Sequence, residues 1–507
     1  MEKSMIDDWQ KLKSGSDIRG VAVGDESEID LASDVVRRIG IAFAVFLVRF
    51  KEIPLNCLNV AIGHDSRVSS ERIKYVLINS LVSLGVNVCD CGLSSTPAMS
   101  HAPRLLSCCA AVEITASHQP KDRNGFKFFS LEGGFASFDI EKILKIAEKR
   151  DFRFSVNPGQ VKSEQFLGSN KIGRVHDSDI MTKYCEFIKG LIKKNLKSEV
   201  PLKDIKIVVD AGGGVGGFFA SRILEPLGAD ISGSVLLEPD GEFSVHVPNP
   251  ENEKSIKFAQ TATLEAKADL GIIFDADVDR AGFINSSGEA ITGEKLVALC
   301  SALVLREYPN SAIVTDSVTS DHIRNFIKNL GGFQFRHKRG YNNIINAAFD
   351  LRKNGINCPL AIETSGHAAF GENNFHDDGA FLAAKIIVEV VKLKRENRNI
   401  SDLLANLKSA AETKEVRVPL DTKNFNFLST KIIRELRMRY KKILNCELEK
   451  ENHEGVRLNF SSPEYLGWCL VRKSRHDPSL VINIQSDVCG GAENIFKSIW
   501  RIIKLVL

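Results

Sequence analysis

Residues 268–280 read ADLGIIFDADVDR, a short apolar run that ends in three closely spaced aspartates. Three other stretches show a similar pattern, in which a β-branched run ends at Gly or Asp and an amphipathic segment follows: LNVAIGHDSR (58–67), IKIVVDAGGGVGG (205–217) and SAIVTDS (311–317). Strands that alternate with helical patterns indicate βαβ units and mainly parallel sheets. Because ligands bind beyond the carboxyl ends of such strands, we expect functional residues in the loops that follow these runs.

The length of 507 residues predicts about three to five domains. The segment from about residue 418 reads as a helix, several strands and a terminal helix, which is typical of a small α+β domain. The sequence therefore predicts an α/β fold in which three related domains have mixed, mainly parallel sheets, followed by a smaller C-terminal α+β domain. The predicted domains span residues 1–165, 166–292, 293–415 and 416–507. The Gly-rich stretch 210–219 is interpreted as close backbone packing at a strand-to-helix turn.

Composition excludes several functional classes. The formal net charge of +3 is too small to favour nucleic acid or an anionic membrane as a partner. The most apolar run, IGIAFAVFLVRF at 39–50, is shorter than the roughly 20 residues that span a bilayer, so it predicts a buried helix.

The eleven scattered cysteines lack disulfide or zinc spacing and indicate free thiols in a reducing compartment. No secretory signal is expected, so we predict a cytoplasmic location, with a plastid as the alternative if a transit peptide is missing.

In the stretch ITASHQPKDRNGFKFF (114–129), a serine follows a β-branched run. Asn124-Gly125 favours a tight hairpin turn, which would carry Lys127 back towards Ser117. A serine beside a lysine can act as a nucleophile that is activated by the nearby charge. An ordinary surface turn is the alternative interpretation of this segment.

The stretch FDADVDR (274–280) carries Asp275, Asp277 and Asp279 at alternate positions after an apolar strand. Three carboxylates this close repel one another unless a cation neutralises them. Oxygen ligands suit Mg²⁺, which commonly keeps water or phosphate oxygens as its remaining ligands. Arg280 could add a charge-assisted contact to a phosphate. An acidic, solvated turn is the alternative.

Two further polar loops are candidate binding sites. Residues 362–380, IETSGHAAFGENNFHDDGA, offer a carboxylate, a hydroxyl and an imidazole to sugar hydroxyls from Glu363, Ser365 and His367. Residues 471–480, VRKSRHDPSL, lie between two predicted strands and could bind a phosphate through their basic side chains and backbone amides. The candidate phosphate ligands there are Arg472, Ser474 and Arg475. A polar loop and a basic hairpin loop are the respective alternatives.

Together these motifs resemble the α-D-phosphohexomutase family, which contains the phosphoglucomutases and phosphomannomutases. The resemblance covers nearly the whole chain in the family's order, through SGSDIRG (14–20), GHDSR (63–67), TASHQP (115–120), NGFK (124–127), HVPNPE (246–251), DADVDR (275–280), ETSGH (363–367) and RKSRHDP (472–478). It implies four domains around a central cleft. It also implies an intramolecular phosphotransferase that interconverts hexose 1-phosphates and hexose 6-phosphates.

The resemblance implies a role for each matched residue. Ser117 would carry the phosphoryl group, Arg19 would lie near it, and Lys127 or His118 would handle protons. The three aspartates would bind Mg²⁺, and the loops at 363–367 and 472–478 would bind the sugar and its phosphate. A trace of hexose 1,6-bisphosphate would be needed as activator, and hexose phosphates are the expected partners.

Several positions depart from the family's pattern. Gln119 replaces the usual Asn, Ala276 and Val278 stand where Gly is common, and residues 475–477 alter the phosphate loop. These changes leave open a degenerate mutase that binds sugar phosphates without turnover. A third hypothesis is an aspartyl-phosphate phosphatase with Asp275 as nucleophile. By resemblance, the motif ETSGH is closer to the dual glucose/mannose mutases than to dedicated phosphoglucomutases, and the motif TASH differs from the glucosamine mutases.

Overall fold

The structure is a computed structural model that describes residues 8–25, 27–152, 172–421, 424–474 and 477–507. The chain divides into two compact units. The first comprises residues 1–292, 365–368 and 373–400, and the second comprises residues 293–364, 369–372 and 401–507. The domain boundary expected after residue 165 lies outside the described residues. The boundaries expected after residues 292 and 415 stay predictions.

The first sheet of the first unit has eight strands. Their order is β1-β2-β6-β5-β3-β4-β8, with β7 paired to β6. The strands β3, β4, β5 and β8 pair in parallel, whereas β6 is antiparallel to both β2 and β5. The elements are β1 Lys13–Ser14, β2 Asp17–Val21, α1 Ser33–Phe50, β3 Asn59–His64, α2 Ser70–Val82, β4 Asn87–Leu93, α3 Thr96–Leu105, β5 Ala110–Ile114, β6 Arg123–Ser130, β7 Gly133–Gly134, α4 Ser137–Lys149, β8 Val175–Asp177 and α5 Ile180–Leu196.

The apolar run at 39–50 forms most of α1, and the prediction of a buried helix is confirmed. Ile39, Phe43 and Phe46 are inaccessible to solvent, and α1 packs against α2 and α4. The rings of Phe43 and Phe128 lie 4.9 Å apart, which joins α1 to the first sheet. Among the described residues, no helix has the length and apolar composition needed to cross a bilayer.

The second sheet of the first unit has four strands in the order β12-β11-β10-β9. The central strand β10 is parallel to β9 and antiparallel to β11. A Cβ atom on Gly214 would lie 2.7 Å from the Cα atom of Ala276, which confirms the predicted close backbone packing of the Gly-rich stretch. The elements are β9 Ile207–Asp210, α6 Glu253–Glu265, β10 Leu270–Phe274, β11 Ala281–Asn285 and β12 Ala290–Ile291.

The third sheet belongs mainly to the second unit and has the order β14-β13-β15-β16, with β13 parallel to β14 and β15. Four helices lie between residues 293 and 395. The first three belong to the second unit, and the fourth, α10, belongs to the first unit. The elements are α7 Gly293–Glu307, β13 Ala312–Asp316, α8 Asp321–Asn329, β14 Phe333–His337, α9 Tyr341–Lys353, β15 Leu360–Ile362, β16 Ala368–Phe370 and α10 Gly379–Arg395.

The fourth sheet lies in the second unit and is antiparallel throughout, in the order β17-β21-β20-β19-β18. The elements are β17 Glu412–Pro419, α11 Phe425–Arg439, β18 Cys446–Leu448, β19 Val456–Phe460, β20 Gly467–Lys473, β21 Ser479–Ser486 and α12 Gly491–Ile503. Three sheets with parallel strands and helices, followed by this smaller α+β region, confirm the predicted fold class.

The prediction of a hairpin turn at Asn124-Gly125 is wrong. Both residues lie inside β6, and the chain turns before that strand, at residues 121–122. A Cβ atom on Gly125 would lie 2.1 Å from the carbonyl oxygen of Ile18, so glycine is required there by the close approach of β2. Tertiary packing therefore overrides the local turn preference of the dipeptide.

Candidate active site

Ser117 lies in the loop that joins β5 to β6, and its side chain is buried. Its φ of 52° is in the left-handed region, which is uncommon for a residue with a Cβ atom. The hydroxyl Oγ donates a hydrogen bond to Asp275 Oδ2 at 3.0 Å. It also lies 3.2 Å from His118 Nδ1. The loop therefore directs the serine hydroxyl at the first aspartate of the 275–279 loop.

The 275–279 loop follows the fully buried strand β10 and carries three buried carboxylates. Asp275, Asp277 and Asp279 each offer one oxygen, and these three atoms lie within 4.8 Å of one another. Asp277 Oδ1 and Asp279 Oδ1 are buried and have no hydrogen-bond partner among the described residues. Buried acceptors without a partner are costly, and an all-oxygen set of this kind fits a magnesium ion. The three aspartates could therefore hold a metal ion.

Lys127 brings a positive charge to the same carboxylates. It lies on β6 opposite Glu113 of β5, and its ammonium is buried. Its Nζ atom lies 2.7 Å from Asp277 Oδ2 and also donates to Asp279 Oδ2. The pairing of β5 with β6, rather than a tight turn, therefore places this lysine against the aspartates.

Burial and nearby charges shift the pKa values of two of the carboxylates in opposite directions. Burial and the charge of Asp279 raise the pKa of Asp275 well above its ordinary value. Burial also acts to raise the pKa of Asp279, but the charges of Lys127 and His367 outweigh it and hold that pKa below its ordinary value. Asp279 is therefore firmly ionised.

The pKa of His118 depends strongly on the nearby charge of Arg280. The positive charge of Arg280, together with burial, lowers the pKa of His118 well below its ordinary value. His118 is therefore a neutral imidazole near neutral pH, and its Nδ1 atom can exchange a hydrogen bond with Ser117 Oγ. The tautomer decides which of the two atoms is the donor.

Two buried arginines flank the serine and the aspartates. Arg19 donates from Nη1 to the carbonyl of Ala116 at 3.1 Å, next to Ser117, and from Nη2 to Asp17 at 2.9 Å. Arg280 donates from Nε to Asp275 Oδ2 at 2.9 Å. The structure thus places both predicted arginines in the same cluster as Ser117 and the three aspartates.

His367 and Ser365 come from the 365–368 segment, which belongs to the first unit, and both are largely buried. An isolated bridge pairs His367 with Arg280, and the His367 Nδ1 atom lies 3.9 Å from Asp279 Oδ1. His367 also forms an ion pair with Asp377. Burial acts to lower the pKa of His367, but the charges of Asp377 and Asp279 raise it to about 9. His367 is therefore a cation near neutral pH.

Glu363 lies in the second unit and accepts a hydrogen bond from the backbone N–H of Gly340. Nearby, the Arg339 Nε atom lies 3.7 Å from Asp316 Oδ2. Burial raises the pKa of Asp316 to about 7, with Arg339 opposing and Glu363 adding to this shift. Glu363 is thus part of an acidic cluster that also contains an arginine which the sequence did not assign.

The predicted phosphate loop also lies in the second unit. Arg472 is buried on β20, and its Nε atom donates to Asn483 Oδ1 at 3.3 Å. Burial lowers the pKa of its guanidinium. The Ser474 N–H donates to the Ser479 carbonyl at 2.8 Å, which brings β20 and β21 together at this loop. Arg475 lies outside the described residues.

Sequence reasoning gave no individual role to several residues that support the site. Asp65 and Arg67 lie in the GHDSR stretch, where Asp65 accepts a hydrogen bond from Thr115 and Arg67 donates to the Ser117 carbonyl. Asp377 forms the ion pair with His367. Thr96, at the start of α3, donates from Oγ1 to Asp277 Oδ2 at 2.6 Å. The residues Ser-Ser-Thr-Pro at 94–97, directly after a strand, were the available signal for this helix start.

Comparison with known proteins assigns the chain to one family. Sequence models of the phosphoglucomutase/phosphomannomutase alpha/beta/alpha domains I, II and III match residues 10–154, 182–288 and 292–410. The phosphomannomutase/phosphoglucomutase of Pseudomonas syringae pv. tomato is 30% identical over 481 residues, which are 94% of this chain and 92% of that protein. The phosphoglucomutase of Neisseria gonorrhoeae is 28% identical, with 94% of each chain covered.

A solved structure agrees with these matches. The crystal structure of a phosphoglucomutase/phosphomannomutase family protein from Burkholderia thailandensis has a TM-score of 0.79 to this chain, 26% identity and 98% coverage of both chains. These relatives do not favour a phosphatase or a non-catalytic binder. The predicted resemblance is confirmed: the chain belongs to the phosphoglucomutase/phosphomannomutase family, and it is an enzyme of the phosphotransferring mutase class.

Proposed function

We propose that the chain interconverts hexose 1-phosphates and hexose 6-phosphates through phosphorylated Ser117 and a hexose 1,6-bisphosphate. Glucose and mannose are the proposed sugars, in line with the names of the relatives. The observation that carries the proposal is the position of Ser117 Oγ, 3.0 Å from Asp275 Oδ2 within a buried cluster of carboxylates and cations. A hydroxyl held there is suited to carry a phosphoryl group.

Charge is the first requirement of this chemistry. Phosphorylated Ser117 would carry about −1.5 to −2 charges in a site that already holds three carboxylates. Lys127, Arg19 and Arg280 supply fixed positive charges around it. Mg²⁺, when bound by the three aspartates, would supply the remaining positive charge that stabilises the phosphoryl oxygens during transfer.

Proton movement is the second requirement. When Ser117 Oγ attacks a phosphate of the bisphosphate, a new P–O bond forms, the bond from phosphorus to the sugar oxygen breaks, Oγ loses its proton and the sugar oxygen gains one. His118 is neutral and lies beside Oγ, so we propose that it accepts the Oγ proton. The Lys127 ammonium donates to two carboxylates, and we propose that it stabilises charge and gives a proton to the leaving sugar oxygen. When a sugar hydroxyl attacks phosphorylated Ser117, both transfers reverse: the hydroxyl proton goes to Lys127 and the His118 proton returns to Oγ.

Recognition of the sugar is the third requirement. The bisphosphate must turn over in the site, so that its second phosphate can return to Ser117. We propose that Ser365 and the cationic His367 bind the sugar. The roles predicted for Glu363 in sugar binding, and for Arg472, Ser474 and Arg475 in phosphate binding, stay predictions.

The experiment is a conversion assay. Glucose 1-phosphate and mannose 1-phosphate are incubated with the enzyme, Mg²⁺ and a trace of glucose 1,6-bisphosphate, and the 6-phosphates are measured. Wild type should convert at least one of them, and Ser117→Ala should abolish conversion. Ser130→Ala is the matched control, because Ser130 lies at the far end of β6. Among the described residues, its hydroxyl donates to the Gly133 carbonyl and accepts from the Glu132 N–H.

Two outcomes would contradict the proposal, and a third would invalidate the comparison of the two variants. Wild type that binds both sugar phosphates without turnover would indicate a degenerate mutase. Release of free phosphate that survives Ser117→Ala would point to Asp275 as the nucleophile. Equal loss of conversion in Ser117→Ala and Ser130→Ala would indicate a folding defect rather than the loss of the phosphoryl carrier.

A further inference from the structure

Arg67 lies at the centre of the serine loop without touching the serine hydroxyl. It follows β3, and its side chain is fully buried. A guanidinium has five N–H donors, and all five are used here. The Nε atom donates to Asp65 Oδ2 at 3.1 Å. The other four donors bind backbone carbonyls of the serine loop, namely those of Ser117, Gln119, Pro120 and Arg123.

These contacts replace the pairing that a strand would have. Residues 117–122 lie between β5 and β6 and have no ladder partner, so the carbonyls of this partly buried loop need other donors. A single guanidinium supplies them to three of these residues and to Arg123 at the start of β6. The loop therefore depends on one side chain from a different part of the chain for much of its hydrogen bonding.

Asp65, which accepts from the Arg67 Nε atom, also helps to hold the N–H of Ser117. Thr115 Oγ1 donates to Asp65 Oδ2 at 2.7 Å and accepts from the Ser117 N–H at 2.8 Å. Arg67 meanwhile binds the Ser117 carbonyl. Both backbone groups of Ser117 are thus tied to the Asp65–Arg67 pair, on either side of its left-handed φ of 52°. Such strained conformations are unfavourable on their own and persist only where the surroundings fix them.

The shape of the group matters as well as its charge. The Arg67 guanidinium lies 5.2 Å from the ring centroid of Phe243. A lysine would keep the charge, but its three donors on a compact ammonium cannot reproduce a planar fork that binds four carbonyls and a carboxylate. Arginine and lysine should therefore differ strongly at this position.

We propose that Arg67 is a positioning residue for phosphoryl transfer, which fixes the Ser117 backbone so that Oγ faces Asp275. This inference rests on the proposed function of Ser117 as phosphoryl carrier. Arg67 acts through the loop, because none of its five donors binds the hydroxyl or an aspartate of the 275–279 loop. Loss of the guanidinium should thus slow transfer more than it weakens substrate binding.

The test measures single-turnover transfer from glucose 1,6-bisphosphate to the enzyme, the KM for the sugar phosphate, and the midpoint of thermal unfolding. The variants are Arg67→Lys and Arg67→Ala, each assayed well below its own unfolding midpoint. Arg38→Lys and Arg38→Ala are the matched controls. Arg38 is equally buried and donates to the carbonyls of Ala147 and Glu148 at the end of α4.

We expect Arg67→Lys to transfer about 10²-fold more slowly, with KM changed only a few-fold, because small displacements of reacting groups have effects of this size. Added guanidinium at millimolar concentration should restore part of the transfer rate of Arg67→Ala, whereas ammonium should not. The Arg38 variants should lose thermal stability, keep the wild-type transfer rate and show no response to guanidinium.

Transfer by Arg67→Lys at the rate of Arg38→Lys would overturn the inference. So would a failure of guanidinium to restore transfer in Arg67→Ala while wild type is active. If wild type and the Arg38 variants also failed to accept a phosphoryl group, the proposed function itself would be contradicted, so the two failures are distinguishable.

Discussion

Replacing Lys127 by methionine removes the ammonium that lies against Asp277 and Asp279 and keeps most of the apolar stem. In the wild-type chain the Lys127 Nζ atom contacts both carboxylates, and all three side chains are at most 2% exposed. Water therefore cannot take over the role of the lost ammonium. The variant leaves two buried carboxylates beside a third, Asp275, without their closest positive charge.

Removal of one partner of a buried ion pair costs about 3–5 kcal/mol of unfolding free energy. We expect Lys127→Met to lose stability in this range in the presence of EDTA. Mg²⁺ bound by the aspartates would replace part of the missing charge. Saturating Mg²⁺ should therefore raise the unfolding free energy of the variant by more than it raises that of wild type.

Urea unfolding in EDTA and in Mg²⁺ measures both effects. Lys145→Met is the matched control, because Lys145 is exposed and pairs only with Glu141 one turn away on the surface of α4. A loss of stability in Lys127→Met no larger than that in Lys145→Met would contradict the expected role of the buried ammonium. Equal stabilisation of wild type and Lys127→Met by Mg²⁺ would contradict it as well.

Three further predictions concern His118, the cysteines and His246. His118→Asn should slow phosphoryl transfer to the enzyme by about 10²–10⁴-fold with sugar-phosphate binding unchanged, as measured by single-turnover kinetics; loss of binding alone would contradict this. Of the eleven cysteine thiols, Cys57 and Cys489 are exposed, Cys109 and Cys446 are half-buried and the rest are buried, so a thiol reagent should modify two rapidly, two more slowly and seven after unfolding; additional fast thiols would contradict the structure. Burial acts to lower the pKa of His246, but its hydrogen bond to Asp210 raises that pKa above 6.5. The stability difference between wild type and His246→Gln should therefore be full at acid pH and shrink as the pH rises through the raised pKa, whereas a difference that grows with pH would contradict this.

The strongest parts of the site could be predicted from the sequence because their signals are local. Asp275, Asp277 and Asp279 lie close together in sequence just after an apolar strand, and this places them at the carboxyl end of that strand. Ser117 likewise lies three residues after the end of a strand. The fold class followed from the same strand and helix patterns, because the period of apolar residues is a property of each short segment.

The contacts that support the site could not be predicted, because they join distant parts of the chain. Arg67 and Ser117 are 50 residues apart, and Lys127 is 150 residues from Asp277. The sequence gives no measure of such approaches. The error at Asn124-Gly125 has the same origin, since the glycine is required by the neighbouring strand β2 and not by a turn.

Identification of the phosphorylated residue tests the central claim most directly. The enzyme is incubated with glucose 1,6-bisphosphate and Mg²⁺, digested, and its phosphorylated peptide is sequenced by mass spectrometry. We expect one phosphoryl group on Ser117 in wild type and none in Ser117→Ala. A phosphoryl group on another residue, or an enzyme that turns over its substrate without any modification of Ser117, would contradict it.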